Sequence, residues 1–164
     1  MRLLKINLVI LVLIALTTFG VTRYMAHRNA APVAPEKQVT DDFNFKKLNG
    51  ERGHLYRYKG QKVVLHFWAS WCAPCVEELP ELFAKAKLEK QTQFILITLD
   101  KTPGEAVNFL DKYEVASNIV FGIDDGALSK TFNLAGLPES FIFNPDLTVK
   151  RHMVGSVHWE SLAF

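Results

Sequence analysis

Cysteine is scarce in this chain: Cys72 and Cys75 are the only two among 164 residues, and they stand three positions apart. A framework of disulfides between distant segments is therefore excluded. A zinc or copper site is disfavoured: His152 or His158 could add to the two thiolates, but no second Cys-Xxx-Xxx-Cys and no spaced histidine pair completes a set of four. Blocks of like charge are lacking as well. Lys and Arg number 19 against 17 Asp and Glu, interspersed along the chain, for a formal net charge of +2. Without a basic block or a dense aromatic-basic patch, nucleic acid is not an expected partner. No internal repeat is visible. What remains, with 49% hydrophobic and 22% charged residues, fits one globular core plus an appendage.

The appendage is at the start. Arg2 and Lys5 precede an apolar run from Ile6 to Val21, broken only by Asn7 and two threonines, and Arg23 and Arg28 follow. A run of this length lies between a signal-peptide core and a span of about 20 residues. Cleavage would need small residues at spaced positions, which Thr18-Phe19-Gly20 and Ala30-Ala31-Pro32 supply poorly, so retention as a membrane anchor is favoured. The small charge excess ahead of the run puts the N-terminus in the cytoplasm and the rest of the chain outside it. The expected organisation is an anchor or signal segment over 1–29, a Pro/Ala-rich linker over 30–38 and a folded domain over 39–164.

Within the domain, Phe43 and Phe45 alternate with polar residues, Asn49-Gly50 supplies a turn and alternation resumes after Gly53, which predicts an opening β-hairpin. Longer elements follow. Val63 to Ala69 reads as a strand buried on both faces, and Val76, Leu79, Phe83 and Ala86 recur at helical spacing from about Ala73 to Lys90. Gln93 to Leu99 is a second buried strand. Thr102-Pro103-Gly104-Glu105 joins a capping box to a proline at the first helical position and opens a helix to about Tyr113. A short strand over Ile119 to Ile123, a short helix over Ala127 to Phe132, and two strands after Pro138 joined at Asn144 to Leu147 complete the pattern. This order predicts an α/β fold, a mixed sheet with helices on both faces.

The chemistry concentrates at Trp71-Cys72-Ala73-Pro74-Cys75, where the first long strand turns into the first helix. Free N–H groups and the positive end of the dipole stabilise an anion there, so the Cys72 thiol should ionise more readily than a free one. Bringing a thiol from about 8.5 to about 7 raises its thiolate fraction at neutral pH roughly fifteenfold. Cys75 falls one helical turn on, within reach of a mixed disulfide at Cys72, and Pro74 stiffens the turn between them. An inert staple is the competing reading, since an extracytoplasmic location permits disulfides. Magnitude counts against it, because closing so short a loop contributes only about 2 kcal/mol against nearly 5 for one of a hundred residues.

Three separated motifs give the chain a family likeness: Val63 to Pro80 (VVLHFWASWCAPCVEELP), Asp124-Asp125-Gly126, and Gly136 to Phe141 (GLPESF). From about Phe43 to Gly155 it resembles the TlpA, ResA and CcmG/DsbE group of membrane-anchored, thioredoxin-like thiol–disulfide oxidoreductases, with Pro-Glu-Ser-Phe closest to the CcmG/DsbE branch. The resemblance implies a thioredoxin-like sheet in which Pro103 to Ile123 is an αβ insertion. It also implies a cis Leu137–Pro138 bond beside the cysteines, although composition alone would prefer a trans proline opening a strand. The Leu137 backbone would pair with a substrate chain, and Trp71 and Pro74 would flank it. Glu78 would assist proton transfer at the buried thiol, and Pro80 would be the helix-kinking proline. Without the likeness, Glu78 would read like Glu77 and Glu81, as a solvated helix position.

Two positions depart from the group. His66 stands beneath the cysteines where asparagine is more usual. It reads as a satisfied core histidine or, alternatively, as a titrating group that tunes proton affinity behind the site. At the end of the chain only Val157 to Phe164 remain for a closing helix, two turns at most.

The expected mechanism has Cys72 thiolate attack a substrate disulfide and Cys75, aided by Glu78, resolve the mixed disulfide, with no metal or other cofactor. Reduction as the direction is implied by the resemblance. So are the partners: protein disulfides, with apocytochrome c leading, and a membrane thiol reductase as electron donor. Other classes fit less well. A metal-binding module would need metal at the two cysteines, a peroxidase would have a Pro/Thr-rich loop where Phe67-Trp68-Ala69-Ser70 stands, and a non-catalytic binding module would not need either cysteine.

Overall fold

The computed structural model of the protein describes residues 42–163. The apolar N-terminal run and the linker, for which an anchor and a spacer are expected, lie outside the described residues.

Phe43 and Phe45 bury on one side of a short opening strand, β1 (Asn44–Lys47), which pairs antiparallel with β2 (Arg52–His54). Gly50 closes the turn between them at φ 87°, a conformation that favours glycine. β2 is shorter than its alternating sequence suggests. Leu55 turns inward to full burial, and Leu55–Tyr58 forms a 3₁₀ turn whose first amides bind back to the Phe43 carbonyl and the Asp42 carboxylate. Gly53 permits the hairpin, because a Cβ there would lie 2.2 Å from the Phe45 ring.

β3 (Lys62–Trp68) and β4 (Thr92–Thr98) are seven-residue strands paired in parallel, and β5 (Ile119–Ile123) continues the parallel set. β6 (Glu139–Phe143) adds antiparallel to β3, and β7 (Val149–Val154) to β6. The sheet order is β2-β1-β5-β4-β3-β6-β7. Both faces of its centre are covered, so β3 and β4 read as continuous apolar runs. On one face Val64, Trp68, Phe94 and Leu96 pack with α1 (Ala73–Leu88) and α2 (Pro103–Leu110). On the other, Val63, Leu65, Phe67, Phe141 and Phe143 pack with α3 (Ala127–Phe132), Phe43 and Phe45.

Helix ends follow the capping chemistry. Thr102 accepts from the Glu105 amide at the start of α2, which stops at Leu110, three residues before Tyr113. Asp124 accepts the Leu128 and Ser129 amides and Asp125 that of Ala127, so the Asp-Asp-Gly motif is the α3 start. Pro80 lies inside α1, where one backbone donor is missing. After β7 the chain makes a single 3₁₀ turn, Trp159–Ser161, in place of a closing helix, with Trp159 fully buried against α1.

Candidate active site

The junction between β3 and α1 is fixed from below before the cysteines are reached. The Ser70 amide donates to both carboxylate oxygens of Asp100 at 3.1 and 3.2 Å, and the Ser70 hydroxyl donates to Oδ1 at 2.8 Å. Thr98 Oγ1 donates to the other oxygen at 2.6 Å, and Asp100 is buried. Cys72 then sits at the N-cap of α1, with extended backbone angles, and its Sγ accepts from the Cys75 amide at 3.3 Å. A sulfur in this seat receives an N–H bond and the helix dipole, the two effects that favour a thiolate once the pair is reduced.

Cys72 and Cys75 are joined in a disulfide, with their Cα atoms 5.3 Å apart. The two sulfurs are not equivalent. Cys72 retains 6% exposure and Cys75 none, while the neighbouring Trp71 stands 66% exposed. An incoming disulfide can reach only the first.

The Leu137–Pro138 peptide bond is cis, as the resemblance implies. Trp71, Cys72, Pro74 and Leu137 line one groove of about 740 Å³, closed on its far side by Leu99, Leu134 and the end of α3. Lys130 is the one charged residue among those lining it. Pro138 is buried behind this surface, its carbonyl accepting from the Gly155 amide.

Glu78 is not in the groove but on the buried side of α1 with Cys75. Its Oε2 accepts from the Val157 amide at 2.6 Å. Its Oε1 faces His66 Nε2 at 3.4 Å, within ion-pair reach but off hydrogen-bond alignment, and neither atom has another hydrogen-bond partner. Burial pushes the Glu78 carboxyl up to about 7, against the opposing pull of the Val157 amide and of the Trp159 indole. The indole exerts that pull although its N–H makes no hydrogen bond of normal geometry. His66 is completely buried, so its imidazole is driven far toward the neutral form, down to about 3. Its Nδ1 lies 2.9 Å from Ser140 Oγ, and its ring meets Trp159 edge to face.

Several of these residues were not singled out in the sequence. Asp100 and Ser70 carry no motif, and their contact spans 30 positions. Glu139 was visible only as a letter of Pro-Glu-Ser-Phe. Its buried carboxylate takes the Ala135 and Gly136 amides of the groove wall on Oε2, and His152 Nε2 on Oε1 at 2.6 Å.

Comparison with known proteins places this geometry in a family. Residues 35–152 match the AhpC/TSA family. The thiol-disulfide oxidoreductase ResA of Bacillus thuringiensis subsp. konkukian is 31% identical over 158 residues, 94% of this chain and 90% of that protein. The crystal structure of StoA from Bacillus subtilis superposes with a TM-score of 0.63 at 26% identity, covering 74% of this chain and 93% of the other. A Chlorobium tepidum structure assigned as a thiol:disulfide interchange protein DsbE gives 0.64 at 28% identity, over 76% and 88%. With its reachable and buried sulfurs at the start of one helix, the chain belongs to the AhpC/TSA family and is a thiol–disulfide oxidoreductase of thioredoxin-like fold.

Proposed function

We propose that the protein reduces disulfides of proteins outside the cytoplasm, held at the membrane by its N-terminal segment. The observation that carries the reading is the asymmetry of the two sulfurs, 6% exposure at Cys72 and none at Cys75. Cys72 thiolate attacks one sulfur of the substrate disulfide; a Cys72–substrate bond forms and the other substrate sulfur leaves as a thiolate. The Cys75 thiol gives its proton to Glu78. Its thiolate then attacks the Cys72 sulfur, closing the Cys72–Cys75 bond and expelling the second substrate thiolate. The substrate gains two electrons, and a membrane thiol reductase restores the dithiol.

The substrate is an extended protein segment laid against Trp71, Pro74 and Leu137, with Pro138 shaping the backbone behind Leu137. An apolar groove with Lys130 as its single charged lining residue supports an unfolded segment of low positive charge. Apocytochrome c awaiting haem attachment is the leading substrate, on the strength of the Pro-Glu-Ser-Phe likeness. Other extracytoplasmic protein disulfides are the second reading, favoured by the groove's few polar lining groups.

Replacing Cys75 with serine tests the assignment, because it stops resolution. Partners should accumulate on Cys72 as dithiothreitol-sensitive adducts in the membrane fraction, and recovery of metal-loaded monomer alone would count against it. Equilibration with glutathione buffers tests direction. A midpoint near that of strong oxidants, about −120 mV, contradicts the reductase assignment.

A further inference from the structure

His66 is a buried titratable group beside Glu78 with no part in the exchange described so far. It lies in β3, opposite Leu96 of β4 and Ser140 of β6, and Ser140 is in turn opposite Met153 of β7. None of these neighbours brings a charge. From α1 the titratable groups on this side are Cys75, Glu78 and, at the rim, Glu81, whose charge disfavours ionisation of Glu78. From the C-terminal turn Val157 brings an amide, Trp159 an indole, and the exposed His158 lies 4.0 Å from Glu81. Among the described residues His66 is thus the only side chain placed within 4.0 Å of the second Glu78 oxygen as an ion-pair partner, and its other nitrogen is engaged by Ser140.

We propose that His66 is a positioning residue for the proton step: held by Ser140, it offers Glu78 an unprotonated ring nitrogen and so raises the affinity of the carboxyl behind Cys75 for the proton it receives in resolution. The physical argument is one of matching. If the Nδ1–H donates to Ser140 Oγ, the neutral ring has only a lone pair left at Nε2. A lone pair 3.4 Å from a buried carboxylate is repulsive, and protonation of the carboxyl removes that repulsion. With Ser140 Oγ as the acceptor of the Nδ1–H, the tautomer sets which form of Glu78 is preferred. A carboxyl held near neutrality in this way can take the Cys75 proton during resolution and return it when the pair is reduced again. No electrons move through the pair; one proton passes from the Cys75 sulfur to a Glu78 oxygen and back.

This rests on the reading that Glu78 serves Cys75, and the test separates the two. In the oxidised full chain, the infrared carbonyl band of a protonated carboxyl, assigned by its loss in Glu78→Gln, is followed against pH. In His66→Asn, whose amide can donate to Glu78, the midpoint should fall by about one pH unit or more, a tenfold change in proton affinity. Ser140→Ala, a smaller change that frees the ring to turn Nε2–H toward Glu78, should shift it the same way and serves if His66→Asn does not fold. An unchanged midpoint in a folded variant overturns the proposal. If the midpoint shifts but Glu78→Gln resolves mixed disulfides at the wild-type rate, His66 sets the proton affinity of Glu78 while the role given to Glu78 in resolution falls.

Discussion

Glu139 and His152 meet at 2.6 Å, and the same Glu139 carboxylate holds the amides of Ala135 and Gly136 with its other oxygen. The groove wall that leads into the cis Leu137–Pro138 bond is therefore hung from the Glu139–His152 contact, with the His152 ring stacked on Phe141 at 4.2 Å. Removing His152 leaves a buried carboxylate with backbone donors only. His152→Ala should lower stability by about 1 to 3 kcal/mol, the cost of leaving a buried acceptor short of a partner, read from denaturant unfolding. It should also raise KM for a protein disulfide more than it slows reaction with a small one.

Asp100 does for the other rim what Glu139 does for this one. It ties Ser70, two residues before Cys72, to the end of β4 through three hydrogen bonds. Asp100→Ala leaves the buried Thr98 hydroxyl without its 2.6 Å acceptor and should cost about 2 to 3 kcal/mol in thermal unfolding. Alkylation of Cys72 should become less selective over Cys75 as the loop loosens.

Glu78 gives the protein a pH signature of definite sign. Its carboxyl is raised to about 7 in the folded state against 4.5 in the unfolded one, so between these values the native state binds more protons and stability falls as pH rises. His66 works the other way: driven down from 6.5, it weakens the fold as pH drops below that value. Comparing Glu78→Gln with wild type isolates the first effect. The variant should gain relative stability from pH 5 to pH 8, by up to about 3 kcal/mol. In single-turnover assays the same change should slow resolution at least a hundredfold while leaving attack by Cys72 nearly intact.

At the opening hairpin, a methyl group on residue 53 would overlap the Phe45 ring, so Gly53→Ala should destabilise the domain by about 1 to 3 kcal/mol without altering Cys72 reactivity. Equal losses of both would mean that the hairpin bears on the site.

Much of this architecture is written in contiguous stretches of sequence. β3 and β4 announce themselves because both their faces are covered, β5 and α3 have the bounds their sequence predicts, and Cys72 could be placed at a helix start from the strand before it and the apolar spacing after it. Elements set by tertiary contact were harder to read. β2 stops early because Leu55 turns into the core, and α2 ends at Leu110 although its apolar pattern runs on to Tyr113, which packs against Phe83. The links behind the site, His66 with Ser140 over 74 positions and Glu78 with Val157 over 79, depend on which strands become neighbours. His66 could be marked as unusual against the asparagine more usual in the resembled group, but its partners could not be named.

The account depends most on the ionisation of the sulfur at the start of α1. Iodoacetamide alkylation of the reduced full chain, followed against pH in wild type and Cys75→Ser, measures it directly. The account predicts that Cys72 is modified first, with a midpoint below that of a free thiol, and that Cys75 reacts slowly throughout. Two thiols that react alike, with midpoints at or above the free-thiol value, would contradict it.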